Sequence, residues 1–231
     1  MNNKKLLICA ASCLLYVNMK GQTSIAENTS KKSIQFILPN GKVLKNLDSL
    51  QNAWGKDQIL FKHNEEDDKN GVMHLVKKTS EFKDQESKSK KALAEMLNTP
   101  APQFEIKDLE GKVWSLKELQ GKTVVLNFWF TSCAPCIKEI PELNKLVDEY
   151  KNKEVVFLGI TFNTPEHVDA FLKKRAFNYV QLPNSDKIIS KYNIFYFPTS
   201  FVIDKQGIIK GILEKSDNIY QDLKNIVDKE S

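Results

Sequence analysis

Residues 123–136 read TVVLNFWFTSCAPC, an apolar, strand-like run followed by two cysteines that are separated by two residues. An amphipathic pattern follows, so Cys133 and Cys136 are predicted where a strand ends and a helix begins. The free N–H groups and positive end of a helix stabilise a thiolate in its first turn, and a second thiol nearby can attack a mixed disulfide. Pro135 suits this turn, where a missing N–H has no helical partner to lose. The stretch therefore predicts dithiol–disulfide exchange by a redox-active pair.

A pair of cysteines at this spacing also occurs as half of a zinc site. The chain has four cysteines, and the other two, Cys9 and Cys13, lie near the N-terminus. His63, His74 and His167 show no spacing that is typical of zinc ligands. We therefore predict no metal site and no cofactor.

The first residues have the pattern of a secretory leader. Lys4 and Lys5 precede an apolar run, Leu6–Val17, and small and polar residues follow around Gly21. The run is too short to span a bilayer stably. We predict a signal peptide over residues 1–22 and export of the protein, with a periplasm as the expected compartment.

Two alternatives to a cleaved signal peptide stay open. Cys13 follows Ala10-Ala11-Ser12, which resembles a lipoprotein box, so lipidation of Cys13 would make the protein a membrane-anchored lipoprotein. The apolar run is also compatible with a buried core helix.

Composition limits the partners of this chain. Its net charge is +5, and removal of residues 1–22 takes away three lysines and no acidic residue, which leaves +2. This nearly neutral balance argues against a nucleic-acid partner. The exported chain would keep only Cys133 and Cys136, so it would have no structural disulfide framework. We expect a monomer whose cysteine pair is kept reduced by a membrane-bound electron donor.

At 231 residues the chain is long enough for one full domain and a smaller one. Residues 23–98 predict a small β-rich N-terminal module, with a hairpin around Pro39-Asn40-Gly41, a short helix over Asp48–Trp54 and a charged helical linker. Thr99–Pro102 marks a boundary, because its two prolines oppose helix continuation. Residues 101–231 are the second predicted domain.

In this second domain strands alternate with helices, which predicts an α/β fold with a central mixed sheet that closes with an antiparallel hairpin. The predicted strands after an initial hairpin are Thr123–Trp129, Val155–Thr161, Tyr179–Leu182, Thr199–Ile203 and Ile208–Leu213. The predicted helices are Leu116–Leu119, residues 135–151, Glu166–Lys174, Asp186–Tyr192 and Asn218–Asp228.

This order of elements resembles the thioredoxin fold, and three segments make the chain similar to the TlpA/ResA group of exported thioredoxin-like proteins. They are Phe104-Glu105-Ile106-Lys107-Asp108-Leu109-Glu110-Gly111-Lys112, the stretch from Asn127 to Cys136 with Glu139-Ile140-Pro141, and Phe197-Pro198-Thr199. The resemblance covers about residues 101–231. It implies a thiol:disulfide oxidoreductase that acts on protein thiols and disulfides, and it suggests a role in cytochrome c biogenesis. We expect net reduction of the substrate, with oxidation and isomerisation as the alternatives, because the direction depends on the relative stabilities of the two redox forms of the pair.

The expected nucleophile is Cys133, exposed and with its sulfur facing the free backbone N–H groups of the helix, and Cys136 is the expected resolving thiol. The resemblance implies a buried carboxylate near the second thiol, and Glu139 occupies that place. Burial raises a carboxyl pKa, so Glu139 could take the proton from Cys136; the alternative is an ordinary glutamate on the helix surface. Ordinary thioredoxins carry an Asp in the preceding strand, where this chain has Asn127, which cannot act as a base.

The resemblance also implies that Pro198 follows a cis peptide bond opposite the cysteines. The backbone of Phe197 would then face the site and pair with an extended substrate strand, although bulky Phe197 departs from the small residues often found there. Trp129 is expected either to pack beneath the active-site loop, where it would shield the thiolate and border the substrate, or to be a core aromatic residue.

Two other functions are compatible with this fold or with these thiols. A peroxiredoxin places Pro and Thr at fixed positions before its reactive cysteine, but here Val125 and Phe130-Thr131 stand out of phase. A Cu(I)-handling or docking module would use Cys133 and Cys136 as soft ligands, yet the sequence offers no Met or His close to them.

Overall fold

The computed structural model describes residues 7–10, 35–44, 59–63, 72–214 and 216–231. The chain divides into two compact units, Met1–Lys83 and Asp84–Ser231. Most of the predicted leader, and the predicted helix over Asp48–Trp54, lie outside the described residues. The division into a signal peptide, an N-terminal module and a second domain at residue 101 stays a prediction.

The first unit contains a five-stranded sheet in the order β1-β4-β5-β2-β3. Its strands are β1 (Leu7–Ala10), β2 (Gln35–Ile37), β3 (Val43–Leu44), β4 (Ile59–His63) and β5 (Val72–Lys77). β2 and β3 form the predicted hairpin, with Gly41 at a φ of 80° that glycine adopts readily. The β-rich character expected of this part is confirmed. Because β1 is a strand, the alternative of a core helix is wrong for Leu7–Ala10.

Helix α1 (Ser80–Met96) follows β5, where a charged helical linker was expected. The strands after it are β6 (Glu105–Lys107), β7 (Val113–Ser115), β8 (Thr123–Phe128), β9 (Val155–Ile160), β10 (Val180–Leu182), β11 (Thr199–Ile203) and β12 (Ile209–Leu213). The helices are a 3-10 turn over Leu116–Leu119, α2 (Ala134–Tyr150), α3 (Pro165–Leu172), α4 (Asp186–Lys191) and α5 (Ile219–Glu230). Their order is the predicted one, and their ends differ by one or two residues, as expected where helices and strands fray.

The sheet of the second unit has the order β10-β9-β8-β11-β12. β8, β9 and β10 are parallel, whereas β11 is antiparallel to β8 and β12 is antiparallel to β11. The predicted α/β fold with a mixed sheet flanked by helices is confirmed. Every residue of the central strand β8 is buried, which explains its almost continuously apolar sequence. Phe128, Tyr192 and Phe201 pack together in its core, with ring centroids 5.1 to 5.6 Å apart.

Parallel strands end at the same edge of a sheet, so the loops that follow β8 and β9 lie side by side. This edge carries the cysteine pair, because β8 leads directly into the loop before α2.

Within the described part of the chain, no helix has the length and apolar character needed to cross a membrane.

Candidate active site

Cys133 is the residue that caps the N-terminus of α2. Its backbone is extended, with φ −78° and ψ 99°, and its carbonyl oxygen accepts the first helical hydrogen bond from the Ile137 N–H at 2.9 Å. The Cys133 sulfur accepts a hydrogen bond from the Cys136 N–H at 3.2 Å. A sulfur in the place of a capping oxygen receives both a backbone donor and the positive end of the helix, which favours its ionised form when it is reduced.

Cys133 and Cys136 are joined by a disulfide, with their Cα atoms 5.2 Å apart. The structure therefore holds the oxidised form of the pair. In this form Cys133 is 0% exposed and Cys136 is 2% exposed. The expectation that Cys133 is exposed is wrong for the disulfide form, because the bond to Cys136 turns its sulfur back over the first helical turn. Pro135 lies in that turn, as expected.

Glu139 lies on α2 three residues after Cys136, with its Oε2 atom buried and without a hydrogen-bond partner. Burial raises the pKa of this carboxyl to about 7, against the smaller opposing effect of the neighbouring Lys138 ammonium. The Glu139 side chain is half-buried with one carboxyl oxygen fully enclosed, so it is not a fully solvated glutamate on the helix surface. Because its pKa lies near neutrality, Glu139 can exchange a proton with a neighbouring thiol at little cost.

Asn127 lies at the centre of β8 and is 0% exposed. Its Nδ2 atom donates a hydrogen bond to the Ser200 hydroxyl at 3.0 Å, whereas its Oδ1 atom is buried without a partner. An amide does not ionise in this range, so Asn127 supplies no base to the site.

The peptide bond between Phe197 and Pro198 is cis, as the family resemblance implied. Pro198 is buried, and Phe197 is half-buried. The Phe197 ring packs edge-on against Phe130, at 5.3 Å between centroids, and against Phe162, at 5.9 Å. These three residues, the aromatic cluster, join the loop before the cysteines to the loop before Pro198. Phe162 and Phe197 keep part of their surface exposed.

Trp129 is 0% exposed and packs between Phe171 and Phe177, with centroids 5.0 and 5.2 Å away. Its Nε1 atom donates to the Gln181 Oε1 atom at 3.0 Å. Direct contact between Trp129 and a substrate, as predicted, needs exposed surface that this residue lacks. The alternative of a core aromatic residue fits the structure, and we leave Trp129 out of the substrate site.

Asn163 is a site residue that the sequence reasoning did not select. Its Oδ1 atom accepts hydrogen bonds from the Thr131 N–H at 2.9 Å and from the Thr161 hydroxyl at 3.0 Å. It thereby fixes the loop that carries the cysteines. Its position in the loop that follows β9 was the available signal, because loops after neighbouring parallel strands meet at one edge of the sheet. In the part of the chain that the structure describes, no three His, Cys, Asp or Glu residues are grouped so as to hold a metal ion.

A mixed sheet, a helix capped by Cys133 in Cys133-x-x-Cys136 and a cis proline define a class, that of thioredoxin-fold proteins with a dithiol–disulfide pair. The sequence profile of the AhpC/TSA family matches residues 97–212, and the chain belongs to that family. The resemblance to thiol:disulfide oxidoreductases of the ResA group is confirmed by the relatives described next.

The thiol-disulfide oxidoreductase ResA of Bacillus cereus is 44% identical over 109 residues, which are 46% of this chain and 63% of that relative. The ResA protein of Geobacillus thermodenitrificans is 35% identical over 136 residues, 56% of this chain and 78% of the relative. A solved structure of a thiol:disulfide interchange protein of the thioredoxin family, from Chlorobium tepidum, superposes with a TM-score of 0.52. It is 29% identical and covers 58% of this chain and 96% of its own.

Proposed function

We propose that this protein is an exported thiol:disulfide oxidoreductase that reduces protein disulfides through Cys133 and Cys136. The observation that carries the proposal is the Cys133–Cys136 disulfide at the N-terminus of α2, where the Cys133 sulfur accepts the Cys136 N–H. The activity printed in the names of the ResA relatives supports it. The chain matches 63% of the length of the first of these relatives, so the activity of the whole protein is part of the proposal.

The proposed reaction begins with the reduced pair. The Cys133 thiolate attacks one sulfur of a substrate disulfide, a mixed disulfide forms, and the other substrate sulfur leaves as a thiolate that takes up a proton. Cys136 then loses its proton and attacks the Cys133 sulfur, which releases the second substrate thiol. Two electrons pass from the cysteine pair to the substrate, one of the two substrate thiols gains a proton equivalent to the one lost by Cys136 and the other is protonated by solvent, and the disulfide form of the protein remains.

Glu139 is the proposed proton acceptor in the second step. Its pKa of about 7 means that close to half of the Glu139 carboxyls are ionised at neutral pH and available to accept the Cys136 proton. The strand position that usually carries the carboxylate is occupied by Asn127, which cannot accept the proton. Glu139 lies three residues after Cys136 on α2 and supplies a carboxyl on the same helix face.

The substrate is proposed to bind in an extended conformation beside Pro198. The backbone of Phe197 pairs with the substrate strand, as in β-augmentation, and the partly exposed rings of Phe162 and Phe197 favour apolar residues next to the substrate cysteine. Such a site suits protein thiols and disulfides rather than small polar thiols.

The expected setting of this activity is a periplasm, reached through the predicted signal peptide over residues 1–22 or by a lipid anchor on Cys13. There the pair needs a membrane-bound electron donor to stay reduced. Cytochrome c biogenesis is the pathway that the family resemblance suggests, and the protein is proposed to act as a monomer. Cell fractionation with N-terminal sequencing tests this setting; an uncleaved cytosolic chain would contradict it.

Reduction of insulin disulfides by the full chain tests the activity, with dithiothreitol as the electron source. We expect turnover that Cys133→Ser abolishes, and we expect Cys136→Ser to accumulate a mixed disulfide on Cys133. Equal rates with and without the protein would refute the oxidoreductase proposal. The equilibrium between the protein and a glutathione redox buffer gives the reduction potential of the pair, and a value well above that of the glutathione pool would refute net reduction.

A further inference from the structure

The segment before β10 is bound to α2 by the side chain of Asn144. The Asn144 amide donates to the Ala176 carbonyl oxygen at 3.0 Å and accepts the Asn178 N–H at 2.8 Å. Tyr179 follows immediately. The helix that carries the cysteines and Glu139 is therefore held against the chain at the position of Tyr179.

Ring contacts place the side chain of Tyr179, which lies directly before β10, beside the residues that pack under α2. The Tyr179 ring centroid is 5.1 Å from that of Phe157 in β9. Phe157 in turn packs against Tyr150 of α2, at 6.2 Å. Tyr179 thus lies beneath α2.

Tyr179 is 3% exposed, and its hydroxyl group is buried without a hydrogen-bond partner. The Glu139 Oε2 atom is buried and unpartnered in the same way. Buried polar atoms almost always have partners, and each exception calls for an explanation. Glu139 and Tyr179 are two of the five such exceptions among the described residues, and they are an acceptor and a donor on elements that pack together.

The two groups also sense one another electrostatically. Burial raises the pKa of the Tyr179 hydroxyl well above its ordinary value, and the Glu139 carboxylate raises it further. The Tyr179 hydroxyl therefore keeps its proton throughout the pH range in which Glu139 titrates. It remains a hydrogen-bond donor whether or not Glu139 is ionised.

The side-chain amide of Gln181, two residues after Tyr179, is not the partner of the Tyr179 hydroxyl. The Gln181 amide is already committed to Trp129, to the Phe177 carbonyl oxygen and to the Tyr179 carbonyl oxygen. Among the described residues, one further charged group acts on Glu139 and Tyr179, which is Lys138. Its ammonium group, on the same helix as Glu139, lowers the pKa of the Glu139 carboxyl.

We infer that Tyr179 is a positioning residue whose hydroxyl donates a hydrogen bond to one buried water, which in turn donates to the ionised Glu139 carboxylate. A water is the usual occupant where two buried polar groups lack direct partners. The bond holds Glu139 in the interior as the proton acceptor for Cys136. This inference rests on the proposed function, in which Glu139 accepts that proton.

A hydrogen bond to the charged form of a carboxyl favours that form. Tyr179→Phe removes the donor and keeps the ring. We expect the proton affinity of Glu139 to rise about tenfold, which lowers its ionised fraction near neutral pH. Resolution of the mixed disulfide should then slow at pH 7 and recover at higher pH, whereas a loss of packing alone would slow it at every pH.

The test uses the full chain labelled with ¹³C at its glutamate carboxyl carbons, assigned by comparison with Glu139→Gln. The expected result is an alkaline shift of the Glu139 titration in Tyr179→Phe and none in Tyr192→Phe. Tyr192 is the matched control, because it is 0% exposed and its hydroxyl donates to the Pro102 carbonyl oxygen instead. An unchanged Glu139 titration in Tyr179→Phe would overturn the inference.

A second measurement needs no variant at Tyr179. In the unmodified protein with ¹³C at the tyrosine ring carbon that bears oxygen, the Tyr179 signal should shift with the same midpoint as Glu139, and a signal that stays constant would overturn the inference. Failure of the proposed function gives a different result, since Glu139→Gln would then resolve the mixed disulfide at the normal rate while the two titrations still report on the contact.

Discussion

The Asn127 amide donates a hydrogen bond to the Ser200 hydroxyl at 3.0 Å, between residues that pair directly across β8 and β11. The position at which ordinary thioredoxins carry a carboxylate is therefore a neutral cross-strand contact in the centre of the sheet. The carboxyl with a pKa near neutrality lies instead on α2, at Glu139. The site keeps an interior proton acceptor but holds it on the helix that also carries both cysteines.

Asn127→Asp, which places a carboxylate in the central strand, should destabilise the protein at neutral pH. Asn127 is 0% exposed, so Asp at this place loses hydration and its folded-state pKa rises. The pKa of an unfolded aspartate is about 3.9, and the stability of the protein is unaffected below that pH. The stability then falls as pH rises from there towards the raised pKa of the folded state. We expect Asn127→Asp to lose about 2 kcal/mol or more of unfolding free energy, relative to the unmodified protein, between about pH 5 and pH 8. Urea denaturation at both pH values checks this; a constant difference would contradict it.

The capping position of Cys133 should make it the more reactive thiol of the reduced protein. The positive end of a helix favours the thiolate of a cysteine in its first turn, and alkylating reagents react with the thiolate rather than with the thiol. We expect iodoacetamide to label Cys133 at least about tenfold faster than Cys136 at pH 7. Mass mapping after brief alkylation measures both rates, and faster labelling of Cys136 would reverse the assignment of the nucleophile.

Glu139→Gln should slow resolution of the mixed disulfide at pH 7, because the variant keeps the shape of the side chain and removes the proton acceptor. General-base assistance contributes about 10²–10⁴-fold, and a thiol that is partly ionised already depends on it less. The rate should recover in part at high pH, where Cys136 ionises unaided. Rapid-quench measurement of the Cys133 mixed disulfide, over about pH 6–9, decides the point. Equal rates in the two proteins would leave Glu139 with a structural role.

The same substitution should remove a pH dependence of stability in the oxidised protein. Burial raises the folded-state pKa of Glu139 from 4.5 to about 7. Stability is therefore complete below about pH 4.5 and falls as pH rises through 7, by about 3 kcal/mol in total. We expect Glu139→Gln to flatten this decline in denaturation experiments between pH 5 and 8. Asp148→Asn, an exposed carboxyl on the same helix, is the control and should keep the decline.

Gly159→Ala should destabilise the fold beneath the site. A Cβ atom at Gly159 would lie 2.6 Å from the Gln181 Oε1 atom. That atom accepts the Trp129 indole N–H, so moving it breaks a buried hydrogen bond. We expect a loss of about 1–3 kcal/mol in unfolding free energy. The control is Gly159→Ala made in a Gln181→Ala background. The clash is absent there, so Gly159→Ala should add little further loss of unfolding free energy.

Much of the fold was predictable, because each element carries its own local pattern. The apolar run of β8, the helical spacing after Cys136 and the glycine turns gave the order and type of every element after residue 101. The strand-to-helix position of Cys133 was predictable for the same reason. The exposure of Cys133 was not, because the direction of its sulfur depends on the disulfide to Cys136, and nor was the burial of Trp129, which depends on Phe171, Phe177 and Gln181 from other elements.

The amino-acid sequence alone determined the chemistry that this protein offers: two thiols at the start of a helix, no other cysteine after residue 22 and no carboxylate in the central strand. These are properties of residue type and short-range spacing, which the chain carries wherever it is placed. The tertiary structure decided how those groups behave. Burial against distant segments raises the Glu139 pKa to about 7 and places the Tyr179 hydroxyl beneath the same helix. Hydration and proton affinity depend on which neighbours exclude water, and only the folded chain brings those neighbours together.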